Sequence, residues 1–151
     1  DWLIELRLKE ALNSFDLIGI AGNPFREPRQ RGWYGTINAV GEAFKPLGEP
    51  RFAIGQLNAP PTYSSNIAPI KVKLLDGVFI AVKASTLHSS NIRFDPQFLY
   101  HHYDLDLCRQ CEQANLKMGV WPIALTHAQT IGDLNQAWFD SGTAYLNKWS
   151  D

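Results

Sequence analysis

The 151-residue sequence contains little cysteine, has almost no net charge and lacks a long apolar run. A formal net charge of -1 excludes a broad basic field that would attract nucleic acid or anionic lipid. No apolar run is long enough to cross a bilayer, and no secretory signal is visible. We therefore predict a protein with no transmembrane segment that does not bind nucleic acid.

The two cysteines, Cys108 and Cys111, are spaced as C-R-Q-C. In redox enzymes such a pair lies at a helix N-terminus, where the helix dipole favours the thiolate. Here the pair falls one turn inside a predicted helix, so the favoured interpretation is two reduced, partly buried thiols. Reduced thiols indicate a cytoplasmic protein.

The chain has the composition of a globular protein, with 45% hydrophobic and 19% charged residues. Its length suits a single domain with a hydrophobic core. The 5 Trp, 5 Tyr and 8 Phe residues are a high aromatic content. Aromatic rings serve cores first, but they also stack on sugars and bases.

The hydrophobic pattern predicts an α/β fold, with a mixed β-sheet flanked by helices. A helix is predicted over 2–15, and segment 16–22 (DLIGIAG) has the pattern of one buried strand. Residues 24–69 are rich in Pro, Gly and Asn, which indicates a loop-rich insertion with short strands near 33–34 and 51–54. Strands are predicted on both sides of Asp76-Gly77 within 70–84, and a short helix follows over 84–90. A helix over 103–116 and a buried strand over 118–125 come next. The last helix begins at a capping box formed by Asp133 and Gln136 and runs to about Trp149.

Two carboxylates, Asp104 and Asp106, open the helix predicted over 103–116. Free backbone N–H groups and the positive end of the helix dipole keep such a carboxylate ionised and rigid. It can then accept a proton or a metal ion. The alternative is that one of the two residues only caps the helix, since Asp is a favoured capping residue.

Histidines flank the same region of the chain. His127 follows the apolar run VWPIAL, where its imidazole is either structural or a ligand for a metal such as Mn or Zn. His101 and His102 precede the acidic pair in H-H-Y-D-L-D, whose spacing fits no zinc pattern.

Two further segments have a structural and a functional interpretation. Asp76-Gly77 is a turn, or a backbone segment that approaches a bound sugar where a side chain would interfere. Trp33-Tyr34 belongs to a small core cluster, or offers a stacking platform for a ligand.

Several motifs in order resemble the C-terminal, acceptor-side half of inverting glycosyltransferases of the family 2 type, which have the GT-A fold. The motifs are LLDGVFIAVKAS, FDPQF, YHHYDLDLCRQ, NLKMG and LTH. The resemblance implies that Asp104 is the base that deprotonates the acceptor hydroxyl and that His127 ligates the metal. Tyr103 stands where the family has the first acidic residue of a pair.

The resemblance also implies substrate contacts and partners. Asp76 and Gly77 match the segment beside the donor sugar and the acceptor, Asp106 would support the helix start or the acceptor pocket, and Arg109 would be structural. The implied ligands are a nucleotide-sugar donor, a carbohydrate acceptor and a divalent cation, Mn²⁺ or Mg²⁺. With Tyr103 and Trp33, these residues form the candidate substrate-binding set.

The family's nucleotide-binding half would precede Asp1 and is not in this sequence. We therefore expect a single incomplete glycosyltransferase-like domain over 1–151 that binds metal weakly and turns over poorly. The exposed sheet edge predicts a homo-oligomer or a covering partner. Two alternatives stay open: a non-catalytic carbohydrate- or protein-binding module, and a small metal-dependent hydrolase that uses Asp104, Asp106 and His127.

Overall fold

The chain has the predicted α/β fold, a mixed β-sheet flanked by helices. A computed structural model describes residues 3–33, 35–36, 45–46, 51–52, 69–123 and 135–150. The helices are α1 (Ile4–Ser14), α2 (Ala84–Ser90), α3 (Tyr103–Gln113) and α4 (Gln136–Trp149). The strands are β1 (Leu17–Gly19), β2 (Ala21–Asn23), β3 (Gly35–Thr36), β4 (Lys45–Pro46), β5 (Arg51–Phe52), β6 (Ile70–Lys71), β7 (Leu74–Leu75), β8 (Ile80–Val82) and β9 (Met118–Val120).

The largest sheet has the strand order β6-β9-β1-β8. Strand β1 is parallel to β9, whereas β8 pairs antiparallel with β1 and β6 pairs antiparallel with β9. A second sheet has the order β5-β2-β7, and β3 pairs with β4. The parallel pair places the residues that follow β1 and β9 at the same end of the sheet.

Helices cover both faces of the largest sheet. Leu17 and Ile18 are neighbours in β1 and point to opposite faces, yet both are fully buried. Leu17 packs in the cluster that contains residues of α3 and α4, whereas Ile18 packs in the cluster with Ala11 of α1. A strand buried on both faces is continuously apolar, which explains why β1 lacks the alternation of a half-exposed strand.

The segment predicted as one strand over 16–22 forms two strands that belong to different sheets. The chain bends at Ile20, between β1 and β2, and β2 pairs antiparallel with β7. A Cβ atom on Gly22 would lie 2.4 Å from the carbonyl oxygen of Leu74, so this close approach requires glycine. The prediction of one continuous strand was wrong because hydropathy does not reveal where a buried strand changes sheets.

Other element boundaries differ by a few residues. Strand β9 ends at Val120 and α3 ends at Gln113, both earlier than predicted. The N-cap of α4 is Asn135, whose side chain accepts a hydrogen bond from the Trp138 N–H at 3.0 Å. The predicted capping residue Asp133 lies outside the described residues. None of the described helices is long and apolar enough to cross a membrane.

Asp106 joins α3 to α4 in the interior. Its carboxylate is fully buried and lies 2.6 Å from Lys148 Nζ. It also accepts hydrogen bonds from Trp149 Nε1 at 2.9 Å and Gln110 Nε2 at 2.7 Å. A buried charge is tolerated when it is paired and hydrogen-bonded in this way.

The cysteines have a structural position on α3. Cys108 and Cys111 are both buried and free, and Cys108 Sγ accepts a hydrogen bond from the Leu75 N–H at 3.2 Å. Burial raises the pKa of both thiols, that of Cys111 to about 12. Such thiols stay protonated and unreactive, which fits the non-redox interpretation.

We expect Asp106→Ala to lower the free energy of unfolding by about 2 kcal/mol, because it removes the fully buried acceptor that Lys148, Trp149 and Gln110 share. Chemical denaturation monitored by tryptophan fluorescence measures the change. Asp95→Ala is the matched control, since Asp95 contacts the same lysine, at 2.7 Å, from a more exposed position. Asp95→Ala should lower the free energy of unfolding by less than Asp106→Ala does. Equal losses in the two variants would contradict the role assigned to Asp106.

Candidate functional site

The candidate site forms where the turn after β7 contacts the first turn of α3. Asp76 opens the turn, and its Oδ1 accepts a hydrogen bond from the Val78 N–H at 2.8 Å. The Asp76 N–H donates to the carbonyl oxygen of Ala21 at 3.0 Å, which fixes the turn to the first residue of β2. The turn is therefore held both by its own side chain and by the sheet.

Gly77 makes two contacts with α3 at once. Its N–H donates to Asp104 Oδ2 at 2.9 Å, and its carbonyl oxygen accepts from Tyr103 Oη at 3.2 Å. A Cβ atom at this position would lie 2.1 Å from Tyr103 Oη. Glycine is required here because the backbone approaches a neighbouring side chain, so the Asp76-Gly77 turn is also a point of close contact.

A cavity of about 460 Å³ opens beside this contact. Its aromatic lining comes from Trp33, Tyr100, Tyr103 and Trp138. Its polar lining comes from Arg31, Asp76, His101, His102 and Asp104. Aromatic walls with a few convergent polar groups are typical of small-molecule sites.

Asp104 is the half-buried carboxylate of the cavity. Its Oδ2 accepts from Gly77, and its Oδ1 accepts from the Leu105 N–H at 2.9 Å. Burial, followed by the charge of Asp76, raises the pKa of Asp104 to about 6, although the backbone N–H groups of Leu105 and Gly77 oppose the rise. The group is therefore ionised at pH 7 and is a stronger base than an ordinary aspartate.

The phenol and the first histidine of the cavity are also affected by burial. Burial and the charges of Asp104 and Asp76 raise the pKa of Tyr103, so its hydroxyl remains a donor. Burial lowers the pKa of His101. Both rings are therefore uncharged at neutral pH.

His102 forms the inner wall of the cavity on the α4 side. It precedes α3 in a left-handed conformation, with φ of 64°. Its ring stacks on Tyr145 at 5.9 Å and lies 5.0 Å from Trp138, and its Nδ1 is 3.0 Å from Ser141 Oγ. Burial, followed by the charge of His101, lowers the pKa of His102 to about 4, so the ring is neutral at physiological pH.

The structure brings together most of the residues singled out in the sequence. Trp33, Asp76, Gly77, Tyr103 and Asp104 all line the cavity. Asp106 is not among the lining residues, because its side chain points inward to Lys148 and Trp149. His127 lies outside the described residues.

Three residues at the site, Tyr100, Trp138 and Ser141, were not among the candidates predicted from the sequence. Trp138 lies within the predicted last helix, and its place in the cavity lining depends on how α4 packs against α3. Ser141 had no motif signal at all. The histidine pair had been noted, but no pattern indicated that His102 would be buried.

The described residues do not by themselves form a metal site. No group of three or more His, Cys, Asp or Glu side chains comes together within the part of the chain that the structure describes. A hard divalent cation requires several oxygen ligands, and Asp76 and Asp104 are the only two carboxylates among the residues named as lining this cavity. The donor set described here therefore does not fit Mn²⁺ or Mg²⁺ without further ligands.

The titration of Asp104 can be tested directly. Its carboxyl carbon should titrate near pH 6 by ¹³C NMR, and Asp76→Asn should lower that pKa by removing a nearby negative charge. The folded-state pKa lies above the unfolded value, so the stability contributed by this group is complete below about pH 4 and is lost as pH rises through 6.

Asp140→Asn, on the exposed side of α4, is the matched control and should leave the Asp104 titration unchanged. A wild-type midpoint near pH 4 would contradict the environment described for Asp104.

No protein-family model, curated protein or solved structure matches this chain. Membership of a family is therefore not shown. The α/β fold and the geometry of the cavity are the observations from which a function has to be argued.

Proposed function

We propose that this protein transfers a sugar from a nucleotide-sugar donor to an acceptor hydroxyl, with inversion, and that Asp104 is the catalytic base. The supporting observation is the position of Asp104, a half-buried carboxylate on an aromatic-lined cavity that is held by the Gly77 N–H and has a pKa of about 6. A general base works best when its pKa approaches the working pH.

The reaction follows from this arrangement. The acceptor oxygen attacks the anomeric carbon while its proton passes to Asp104. The bond between that carbon and the diphosphate oxygen breaks, and its electron pair leaves with the nucleoside diphosphate. Attack opposite the leaving group inverts the anomeric configuration, through a transition state that resembles an oxocarbenium ion.

Gly77 would orient the base during this step. Its N–H binds Oδ2 of Asp104, and Oδ1 binds the Leu105 N–H, so the carboxylate plane is fixed by two backbone donors. A fixed carboxylate pays less entropy when it contacts the reacting hydroxyl. The two hydrogen bonds still leave acceptor capacity on both oxygens.

The aromatic residues would hold the acceptor sugar. The ring of Tyr100 is 78% exposed at the cavity, and Trp33 and Trp138 are half-buried in its lining. Sugar rings present apolar C–H faces that stack on such rings, while their hydroxyls require acceptors such as the Asp76 carboxylate.

The remaining components of the proposal are partners that the described residues do not supply. A divalent metal would need His127 or other ligands in addition to the cavity carboxylates. The nucleotide of the donor likewise needs contacts beyond those described here. A cytoplasmic setting and a homo-oligomer stay predictions.

A non-catalytic carbohydrate-binding module is the second candidate. The aromatic lining supports it, because stacking on Tyr100 and Trp138 would bind a sugar without any use of the Asp104 base. The hydrolase alternative has less support, since the oxygens of Asp106 are engaged by Lys148, Trp149 and Gln110.

Asp104→Asn should reduce sugar transfer by about 10²- to 10⁴-fold, because the amide cannot accept the proton. Transfer is measured by mass spectrometry with a panel of nucleotide sugars, methyl glycoside acceptors and Mn²⁺. The assay uses this chain and any longer chain that contains it. Calorimetry with each nucleotide sugar should give the same affinity for wild type and variant.

Asp140→Asn is the control, since it removes a carboxylate of the same kind from an exposed position on α4. Full activity of Asp104→Asn would eliminate Asp104 as the base. Sugar binding with no transfer from any donor would favour the binding module instead.

A further inference from the structure

The ring of His102 has one nitrogen with a partner and one without. Its side chain is 4% exposed, and Nδ1 is 3.0 Å from Ser141 Oγ. Nε2 is buried and makes no hydrogen bond with any described residue. An unpaired buried polar atom is costly, and in native proteins it is rare enough to require an explanation, such as strain, a bound water or a functional role.

The hydrogen bonds of Ser141 determine which ring nitrogen carries the proton. Ser141 Oγ donates its single hydrogen to the carbonyl oxygen of His101 at 2.9 Å. With that bond in place Ser141 Oγ accepts from His102, and this network assigns the ring proton to Nδ1. Because the neutral ring has one N–H, Nε2 presents a lone pair and is a hydrogen-bond acceptor.

The unpaired nitrogen lies close to Arg31 and Gly142. A Cβ atom on Gly142 would lie 3.1 Å from His102 Nε2 and 3.0 Å from Arg31 Cδ. The absence of a side chain at Gly142 thus leaves a space that borders both Nε2 and the aliphatic part of Arg31. His102 and Arg31 both line the cavity, so displacement of the flexible Arg31 side chain would expose Nε2 to a ligand.

The rest of the His102 ring is fixed in place. It stacks on the ring of Tyr145, and its centroid lies 5.0 Å from that of the tilted Trp138 ring. Its Nδ1 is hydrogen-bonded with Ser141. An interaction with the Arg31 backbone raises the pKa of the ring, but no group of the described residues lies in hydrogen-bond geometry with Nε2. An acceptor that is rigid, desolvated and neutral discriminates well between ligands that carry a donor and those that lack one.

We propose that His102 is a substrate-binding residue, whose Nε2 accepts a hydrogen bond from one hydroxyl of the sugar held in the cavity. This inference rests on the proposed function only in that the ligand is a carbohydrate. Asp104 would take the proton of the reacting hydroxyl, whereas His102 would bind a second, non-reacting hydroxyl. His102 would therefore determine which acceptor sugars bind, and how they are oriented toward the base.

The first measurement is ¹⁵N NMR of the histidine-labelled protein, in which protonated and unprotonated ring nitrogens have distinct shifts. His102 Nε2 should have the shift of an unprotonated nitrogen in the free protein. Methyl glycosides of gluco, galacto, manno and N-acetylgluco configuration are then added in turn. A glycoside that binds the cavity should move the Nε2 resonance in the direction of an accepted hydrogen bond.

The affinity of two variants for the glycoside tests the same hydrogen bond between His102 Nε2 and the sugar. His102→Phe keeps an aromatic ring against Tyr145 and removes the acceptor, so the responding glycoside should bind about tenfold more weakly. Gly142→Ala keeps the histidine and fills the space beside Nε2, and it should also weaken binding. His88→Phe, on the exposed side of α2, is the matched control and should have no effect.

Monodeoxy derivatives of the responding glycoside identify the hydroxyl. The derivative that lacks the hydroxyl bound by His102 should bind wild type and His102→Phe equally, whereas the others should retain the difference. The wild-type NMR measurement does not depend on whether any variant folds.

Several results would overturn the inference: a protonated Nε2 in the free protein, a bound glycoside that leaves Nε2 unmoved, or no binding of any glycoside. The first two results would not contradict the proposed sugar transfer. Conversely, a shifted Nε2 with no transfer from any nucleotide sugar would support the role of His102 and overturn the catalytic proposal.

Discussion

The contact between Gly77 and the first turn of α3 is the constraint on which the candidate site depends. The N–H of Gly77 donates a hydrogen bond to Asp104, and its carbonyl oxygen accepts one from Tyr103. These bonds align the sheet and the helix at a point with no room for a side chain. A hydrogen bond from the Asp76 N–H to the carbonyl oxygen of Ala21 also fixes the Asp76-Gly77 turn to β2. The position of the carboxylate is thus set by backbone geometry, which varies less than side-chain rotamers.

Helix periodicity separates two acids that look equivalent in sequence. Asp104 and Asp106 are two residues apart, and a helix with 3.6 residues per turn places such residues on nearly opposite sides. Asp104 faces the cavity beside the sheet turn, whereas Asp106 faces α4 and is neutralised by Lys148. One acid keeps an elevated pKa and is available for chemistry, and the other stabilises the packing of two helices.

Helix α4 completes the cavity from a distant part of the chain. Its C-terminal end is held by the contacts of Lys148 and Trp149 with Asp106, and its N-terminal half presents Trp138 and Ser141 to His102. The interior ion pair and the cavity wall are therefore two ends of the same helix packing. A change at Asp106 would alter the site through the position of α4, although Asp106 does not line the cavity.

The sequence by itself determined the fold class, the order of the main elements and the choice of Asp76, Gly77 and Asp104, because local patterns of hydropathy, turn residues and helix starts carry that information. It also predicted α2 over 84–90 with the observed bounds. Only the tertiary structure decided that segment 16–22 divides between two sheets, that Asp106 is internal and that His102 has an unpaired nitrogen beside Arg31. These features arise from contacts between residues far apart in the chain, such as Gly22 with Leu74 and His102 with Ser141, and no local pattern encodes a long-range contact.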